Sequence, residues 1–435
     1  MFKKWIALGL SKGITDLEIF AVQSQSLKLS VYQGKLDQHV QSNVESATIR
    51  GIYDNKLSTV RFENLSDENA DMMLTQLIEN AKALTVVEPA IIYEGSKEYP
   101  VVKDELFDFS AVDVTKKIQL LLDLEKMILE NKLTSQVQTS LYQEVDTKTT
   151  LVNSKGLNLT RRNRFAYAYA IAIFGKDDDI VTSYDVKLAK SFHEFDANEM
   201  AETTIQKGIQ KLGGTSIPSG EYPVVFSNEM FSDMIEVFQT IFSGEAAFRK
   251  LTQLKDKVNQ QIAGKEINII DDPLSDLAYF KNPFDDEGVA CKKRYVVENG
   301  VFKGFNHNLK TAKIFNEEPT GNGFGGGISS TNLYLEPTQI AFDQMITPIE
   351  KGVYITSLIG LHAGVKTVSG AFNLQASGLM IENGKLTHAV KMIVVSGNFF
   401  DMLNRVSGIA SDLKFNTSGT GSPSVFIESL VIGGK

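Results

Sequence analysis

Apolar residues pair up every three or four positions between Met230 and Phe242, and the rest of the chain is read around that stretch. Met230/Phe231, Met234/Ile235, Val237/Phe238 and Ile241/Phe242 predict one wide apolar helix face, with Glu229, Asp233 and Glu236 on the opposite stripe. A short buried strand, Pro223 to Phe226, leads into the helix. Ser227 or Asn228 supplies the oxygen that caps its first free amides, and Gly244 is the expected stop.

Toward the N-terminus the pattern falls to period two. After an amphipathic opening helix, strands are expected at Leu17 to Val22 and Leu27 to Tyr32, the second with strict alternation. A turn at Gly34-Lys35 precedes extended chain from Leu36 to Val44. Ala47 to Tyr53 and Leu57 to Phe62 predict a hairpin around Asp54-Asn55. A helix opens at Ser66-Asp67-Glu68 and runs to about Leu84, burying Ala70, Met73, Leu74, Leu77, Ile78 and Ala81. A second, Val112 to Glu130, carries a stripe through Val114, Ile118, Leu121, Leu122, Leu124, Met127 and Ile128. Strands return from Gln136 to Lys187, with a turn at Val152 to Leu157. Within them Phe165 to Phe174 alternates small and large residues, the mark of a strand crowded against a neighbour. Glu199 to Leu212 is a further helix.

Gly213 to Gly220 combines glycines, a proline and small polar residues, and marks the division of the chain. Beyond the organising helix, Glu266 to Ile270 is a strand ending in Asp271-Asp272-Pro273. Arg294 to Val297 pairs with Val301 to Phe305 around Asn299-Gly300. Met380 to Glu382 pairs with Lys385 to Val390 around Asn383-Gly384, and Ser424 to Ile432 closes the chain. Strands and helices do not alternate one to one, which excludes a doubly wound parallel sheet. The expected class is α+β in two domains. Residues 1–212 form a mixed antiparallel sheet with helices, and residues 221–435 form a β-rich domain introduced by the organising helix.

The 435 residues, 43% hydrophobic and 22% charged, suit two or three ordinary globular cores. A formal charge of −9 argues against a general phosphate-binding surface, so nucleic acid is not an expected direct partner. The longest basic run, Lys292-Lys293-Arg294, reads as a solvated strand edge. A single cysteine, Cys291, excludes an internal disulfide framework and fits a reducing, cytoplasmic compartment. The apolar run after Lys3-Lys4 is too short for a signal peptide and is broken by Ser11-Lys12-Gly13. No stretch has the roughly 18 apolar residues of a membrane span.

Candidate chemistry is sparse. His39, His193, His307, His362 and His388 show no metal-ligand spacing; His307 and His362, near strand ends, are the two to inspect. Gly321-Asn322-Gly323-Phe324-Gly325-Gly326 formally contains Gly-x-Gly-x-x-Gly, but no strand–helix frame surrounds it, so a loop beside a cleft is expected. Lysines flanking Cys291 would lower its pKa, though no histidine is near in sequence. Asp177-Asp178-Asp179 and Asp285-Asp286-Glu287 read as solvated turns. No Gly-x-Ser-x-Gly elbow occurs.

Several pieces recur in a family-specific order. They are Ser219 to Val225, Asp271-Asp272-Pro273, Pro283 to Val289, Val296 to Val301, Thr331 to Pro337, Ser377 to Gly384 and Gly397-Asn398. In this the chain resembles the TldD/PmbA family of peptidase-related proteins, to which the name "modulator of DNA gyrase" is attached. In that family's catalytic branch, the organising helix carries a metal-binding His-Glu-x-x-x-His. Here the same register reads Asn228-Glu229-Met230-Phe231-Ser232-Asp233, so both histidine positions are replaced and the PmbA/TldE branch is the nearer one.

The resemblance implies two-domain subunits that dimerise around an inner chamber. This chain would then be a PmbA/TldE-like partner without its own metal, paired with a TldD-like subunit that holds zinc or another divalent ion, and acting on unfolded peptides. Two other roles stay open. One is a self-sufficient metallopeptidase with an oxygen-ligand site at Asn228, Glu229 and Asp233; the other is a homodimeric peptide-binding protein without catalysis. Against the first, Asn228 and Asp233 lie five positions apart, roughly 140° around a helix of 3.6 residues per turn, and offer only oxygen.

Overall fold

The computed structural model describes every residue except Asn64, Val86, Val87, Lys103, Asp104 and Glu105. In the N-terminal half the strands run without the expected interruptions. β1 is Asp16–Tyr32, β2 Lys35–Tyr53, β3 Lys56–Glu63, β4 Thr134–Asn153, β5 Asn158–Lys176, β6 Asp179–Tyr184 and β7 Lys187–Ala189. They form one antiparallel sheet in the order β3-β2-β1-β4-β5-β6, with β7 paired to β5. The polar stretch Ser24-Gln25-Ser26 suggested a break, yet β1 stays extended there. It is hydrogen-bonded to β2 on one side and β4 on the other, and those ladders satisfy its backbone whatever its side chains. The first turn falls at Gln33-Gly34 (φ 52° and 69°) rather than Gly34-Lys35, because Tyr32 pairs with Lys35. The Asp54-Asn55 turn is where it was expected, with φ 50° and 58°.

One face of this sheet is covered by helices: α1 (Phe2–Ser11), α2 (Ala70–Ala83), α3 (Val114–Glu130) and α4 (Ala197–Ile209). The small–large alternation in β5 has the expected meaning. Ala166, Ala168, Ala170 and Ala172 are buried, and their lack of bulk lets Leu121, Leu124 and Ile128 of α3 and Met200 of α4 reach the sheet. Gly208 of α4 lies on the Phe174 ring, where an added Cβ would come within 2.3 Å. Asp196 caps α4 by accepting from the amides of Asn198 and Glu199, so the helix begins two residues before Glu199. The opposite face carries Phe20, Thr48 and Arg61 side by side in register and turns toward the second half of the chain. Phe165 meets Phe280 edge to face at 4.9 Å.

The second half begins with β8 (Gly220–Phe226) and α5 (Asn228–Phe238). The apolar face continues as expected, but the helix tightens into a 3-10 turn at Gln239–Phe242. Gly244 is not its stop. It opens α6 (Gly244–Phe248), capped by Ser243, and is glycine because a Cβ there would sit 2.4 Å from His307 Nδ1. There follow β9 (Ile269–Asp271), β10 (Arg294–Glu298), β11 (Val301–Phe302), α7 (Leu309–Phe315), β12 (Leu333–Leu335) and α8 (Phe342–Ile346). Next come β13 (Lys351–Ile359), β14 (Val365–Lys366), β15 (Ala371–Glu382), β16 (Lys385–Asn398) and α9 (Phe399–Leu403). The chain ends with β17 (Val406–Ile409), β18 (Lys414–Phe415), β19 (Gly421–Ser422) and β20 (Val425–Gly433).

These strands form two sheets, in the orders β11-β10-β9-β12-β19-β18 and β13-β8-β20-β16-β15-β14, with β17 on β20. Only the pairs β8–β13 and β12–β19 among the described strands are parallel, so the α+β class holds and a doubly wound sheet is excluded. Both Asn-Gly turns take positive φ, 48° and 75° at Asn299-Gly300 and 52° and 72° at Asn383-Gly384. β13 and the first half of β15 had not been expected from the sequence. Between the sheets α5 buries Phe231, Met234, Ile235 and Phe238, the last stacked on Phe399 at 4.1 Å. Among the described residues no helix is long and apolar enough to cross a membrane.

Candidate functional site

The start of α5 fixes where its polar residues point. Ser227 is extended and caps the helix, its Oγ accepting from the Met230 amide at 3.3 Å. Asn228 is drawn aside: its Nδ2 donates to the Asp412 carbonyl at 2.8 Å. Glu229 and Asp233, one turn apart, instead line a cavity of about 140 Å3 together with Tyr184, Asp185, Lys207 and Lys414. Of the three candidate positions, then, two share a space and the third does not.

Four charges close that space. Lys207 of α4 reaches Asp185 at 2.6 Å and Glu229 Oε1 at 2.7 Å. Lys414 of β18 reaches the same Glu229 oxygen at 2.6 Å and Asp185 at 3.3 Å. Two ammonium groups and two carboxylates thus alternate, joining α4 and the β6–β7 connection to α5 and β18. Burial alone would raise the pKa of Glu229 and of Asp185, but the lysines outweigh it and hold both below the usual carboxylate range. Asp233 pairs with no lysine among the described residues. Burial, with Glu236 and Glu229 nearby, pushes it up to about 6.

A zinc peptidase centre requires imidazole or thiolate donors and an open coordination position. Here a Glu229 oxygen already faces two cations, which would repel a divalent ion. Among the described residues no group of three His, Cys, Asp or Glu side chains is arranged to hold a metal. The residues at this position do not fit the metal implied by the family motif.

The other candidates resolve differently. His39, His193, His362 and His388 are exposed. His307 is buried, its Nδ1 3.1 Å from Thr311 Oγ1, and burial with Arg294 nearby pulls it down to about 4. Cys291 reverses the expectation of a lowered pKa. Its neighbours Lys292 and Lys293 are exposed, whereas the thiol is buried, donates to the Gly321 carbonyl at 3.1 Å and is pushed up by desolvation. Arg294 does not lie on a solvated edge either; its guanidinium donates to the Phe305 and Gly304 carbonyls.

The acidic run Asp285-Asp286-Glu287 is the largest correction, since it is not a solvated turn. Asp285 is fully buried and accepts from the amides of Glu287, Val289 and Gly323 at 2.8–3.0 Å. Burial and Glu287 push its carboxyl up to about 7 against those three donors. Asp286 pairs with Arg161 at 2.6 Å, and Glu287 with Arg50 at 2.9 Å and with the Leu309 amide. The run therefore bolts the N-terminal sheet to the second half. The glycine loop follows the same acids, with the Gly325 amide donating to Asp286. As expected it borders a cleft: Gly325 and Gly326 line a cavity of about 860 Å3 whose far wall is the β1–β3 face. The Asp177-Asp178-Asp179 turn stays at the surface, tied through Asp179 to Lys391.

Three family models match in order along the chain. They are PmbA/TldA metallopeptidase domain 1 at residues 17–82, the central domain at 107–212 and the C-terminal domain at 219–434. A solved Thermotoga maritima protein, described as a candidate modulator of a DNA gyrase, is 30% identical with 99% of each chain covered and a TM-score of 0.93. TldE from Thermococcus kodakarensis is 22% identical, covers all of both chains at a TM-score of 0.91, and shares the fold. An Archaeoglobus fulgidus metalloprotease is 28% identical over 421 residues, 92% of each chain.

Proposed function

The chain belongs to the PmbA/TldD metallopeptidase family, and from that premise we propose that it is the PmbA/TldE-like subunit of a two-subunit peptidase. In this reading residues 1–212 and 221–435 are its two domains, and its partner is a TldD-like chain that holds the divalent metal. This subunit completes a chamber for unfolded peptides in the cytoplasm and contributes no metal ligand. The observation that carries the reading is the closure of Glu229 between Lys207 and Lys414, at the helix position where the catalytic branch binds its ion. An acidic chain of net charge −9 is a poor candidate for contacting DNA, so any relation to gyrase would run through peptide processing.

The test is reconstitution. Purified alone, the chain should carry substoichiometric metal and leave unfolded peptides intact. Mixed with a relative bearing His-Glu-x-x-x-His, it should co-elute and support cleavage that neither protein shows alone. Cleavage by the chain alone, with one tightly bound metal per chain, would favour the self-sufficient peptidase. Peptide binding without such a partner would favour the homodimeric binding protein.

A further inference from the structure

We propose that the uncovered part of the N-terminal sheet's outer face, across β2, β1, β4, β5 and β6, seats a second copy of this chain, sheet against sheet. The inference goes beyond the subunit reading and does not rest on it. Pairing register fixes which side chains share the face. On β5 the buried alanines point at the helices, so Tyr167, Tyr169 and Ile171 point the other way. Gln143 stands beside Tyr167, Lys28 beside Gln143 and Val40 beside Lys28, and the register shifts of these strands fall outside that row. Phe165, at the near end of the stretch, meets Phe280 of the second half. Beyond it Tyr167, Tyr169 and Ile171 are only half-buried, and Val40 and Tyr184 are exposed. A solvated face of an antiparallel sheet is normally polar. Here β5 turns outward a parallel pair of tyrosine rings, centroids 6.4 Å apart, followed by two isoleucines.

Charge and area select the occupant. Among the outward positions from Val40 to Val44, Ser24 to Ser30, Leu141 to Thr147, Tyr167 to Ile173 and Ile180 to Tyr184, Lys28 is the only charged residue, in a chain 22% charged. Depletion of charge and enrichment in tyrosine mark the centre of a protein interface. A face with one charge also meets its own copy with little like-charge repulsion. A two-fold axis along β4 lays β1 of one copy over β5 of the other at the same height, within the alignment that packed sheets adopt. Lys28 then faces the ring of the second copy's Tyr167, an ammonium over an aromatic face, and the axis repeats the contact. Five strands about 4.8 Å apart and seven residues of about 3.4 Å give a footprint of roughly 24 by 24 Å. For both copies that is about 1,200 Å2, above the roughly 1,000 Å2 of a specific interface and below the standard 1,600 Å2 or so. A reversible dimer is therefore expected.

Sedimentation velocity of the full-length chain, from about 1 to about 100 µM, tests this without any partner. A monomer–dimer equilibrium should appear across that range. Tyr169→Glu, which would bury a charge in the seam, should weaken pairing at least about tenfold. Lys28→Glu, a change at an already charged position and so safe for folding, replaces the ammonium over the ring by a carboxylate and should also weaken it. Ile359→Glu, an exposed apolar position on β13, should leave pairing unchanged. A chain that stays monomeric at every concentration would overturn the proposal, as would a dimer undiminished by both Tyr169→Glu and Lys28→Glu. Pairing through this face only with a His-Glu-x-x-x-His relative would overturn it too, since the occupant would not be a copy. Failure of the subunit reading looks different, because it is read from cleavage in the two-chain mixture and not from the mass of the chain alone.

Discussion

Two cavities lie where the N-terminal sheet meets the second half of the chain, and they treat charge in opposite ways. Beside Glu229 the space is small, and Lys207 and Lys414 each find both Glu229 and Asp185 within 3.3 Å. Beneath the β1–β3 face the space is about six times larger, and Arg61 there has no acid partner among the described residues. The family's metal position is thus electrostatically closed, while the space with unmet charge lies elsewhere along the same seam. Likeness of fold preserved the helix and its glutamate, but the residues around that glutamate decide what it can do.

The acidic run behind the large cavity, of which Asp286 and Glu287 line the space and Asp285 lies buried, should be the more costly of the two to damage. Asp285→Ala would strand two buried backbone amides and a third that is half-buried, each buried one worth roughly 1–3 kcal/mol when unsatisfied, for a loss of about 4 kcal/mol. Asp285→Asn keeps one acceptor oxygen and should cost about half as much. Chemical denaturation of both variants measures this. Glu229→Gln leaves two ammonium groups sharing one carboxylate. A fully buried pair would lose about 3–5 kcal/mol, but a third of this side chain is exposed, so about 1–2 kcal/mol is expected. If Glu229→Gln proved the costlier change, the ranking of the two regions would be reversed.

Asp233 sharpens the comparison through pH. Its folded pKa, about 6, lies above the ordinary aspartate value, so the folded state holds its proton longer than the unfolded chain does. Stability contributed by this group therefore falls as pH rises from about 4 to about 6, and the full penalty persists above that. Asp233→Asn should match the parent near pH 4 and exceed it by about 1 kcal/mol at pH 8, after allowance for partial exposure. Thermal melts at both pH values decide it. A variant equally stabilised at pH 4 would mean that ionisation is not the cause.

The sequence made the elements legible where a local rule governs them. The helix stripes, the alanines of β5 and the Asn-Gly turns all carry their own periodicity or φ requirement. Less was visible where a residue is explained by something distant in the chain. Gly244 looks like a helix stop until His307 is seen against it, and Asp285-Asp286-Glu287 looks solvated until Arg50 and Arg161 are seen to meet it. The missing imidazoles at 228 and 233 were plain from the residues. What closes the site was not, because Lys207, Asp185 and Lys414 lie 22 to 229 positions from their partners. A hint existed in Asp285 through Gly288, whose acid-then-glycine pattern suits a side chain folding back on its own amides, as it does here.

The smallest expected effect is also the most direct probe of the closed cavity. Asn228→His with Asp233→His restores the catalytic branch's motif in sequence, yet it should recruit no stoichiometric zinc. The first reason is geometric: position 228 is turned toward Asp412, away from the space shared by 229 and 233. The second is electrostatic, since two ammonium groups within 2.7 Å of Glu229 would have to be displaced before its oxygen could bind a cation. Adding Lys207→Ala and Lys414→Ala separates the two causes. Metal uptake that appears only in the fourfold variant assigns the block to charge, whereas continued absence assigns it to the direction of the side chain at 228. A full equivalent of zinc on the twofold variant, with both lysines in place, would show that four paired charges do not close the cavity, and the contrast between the two regions would fall with it.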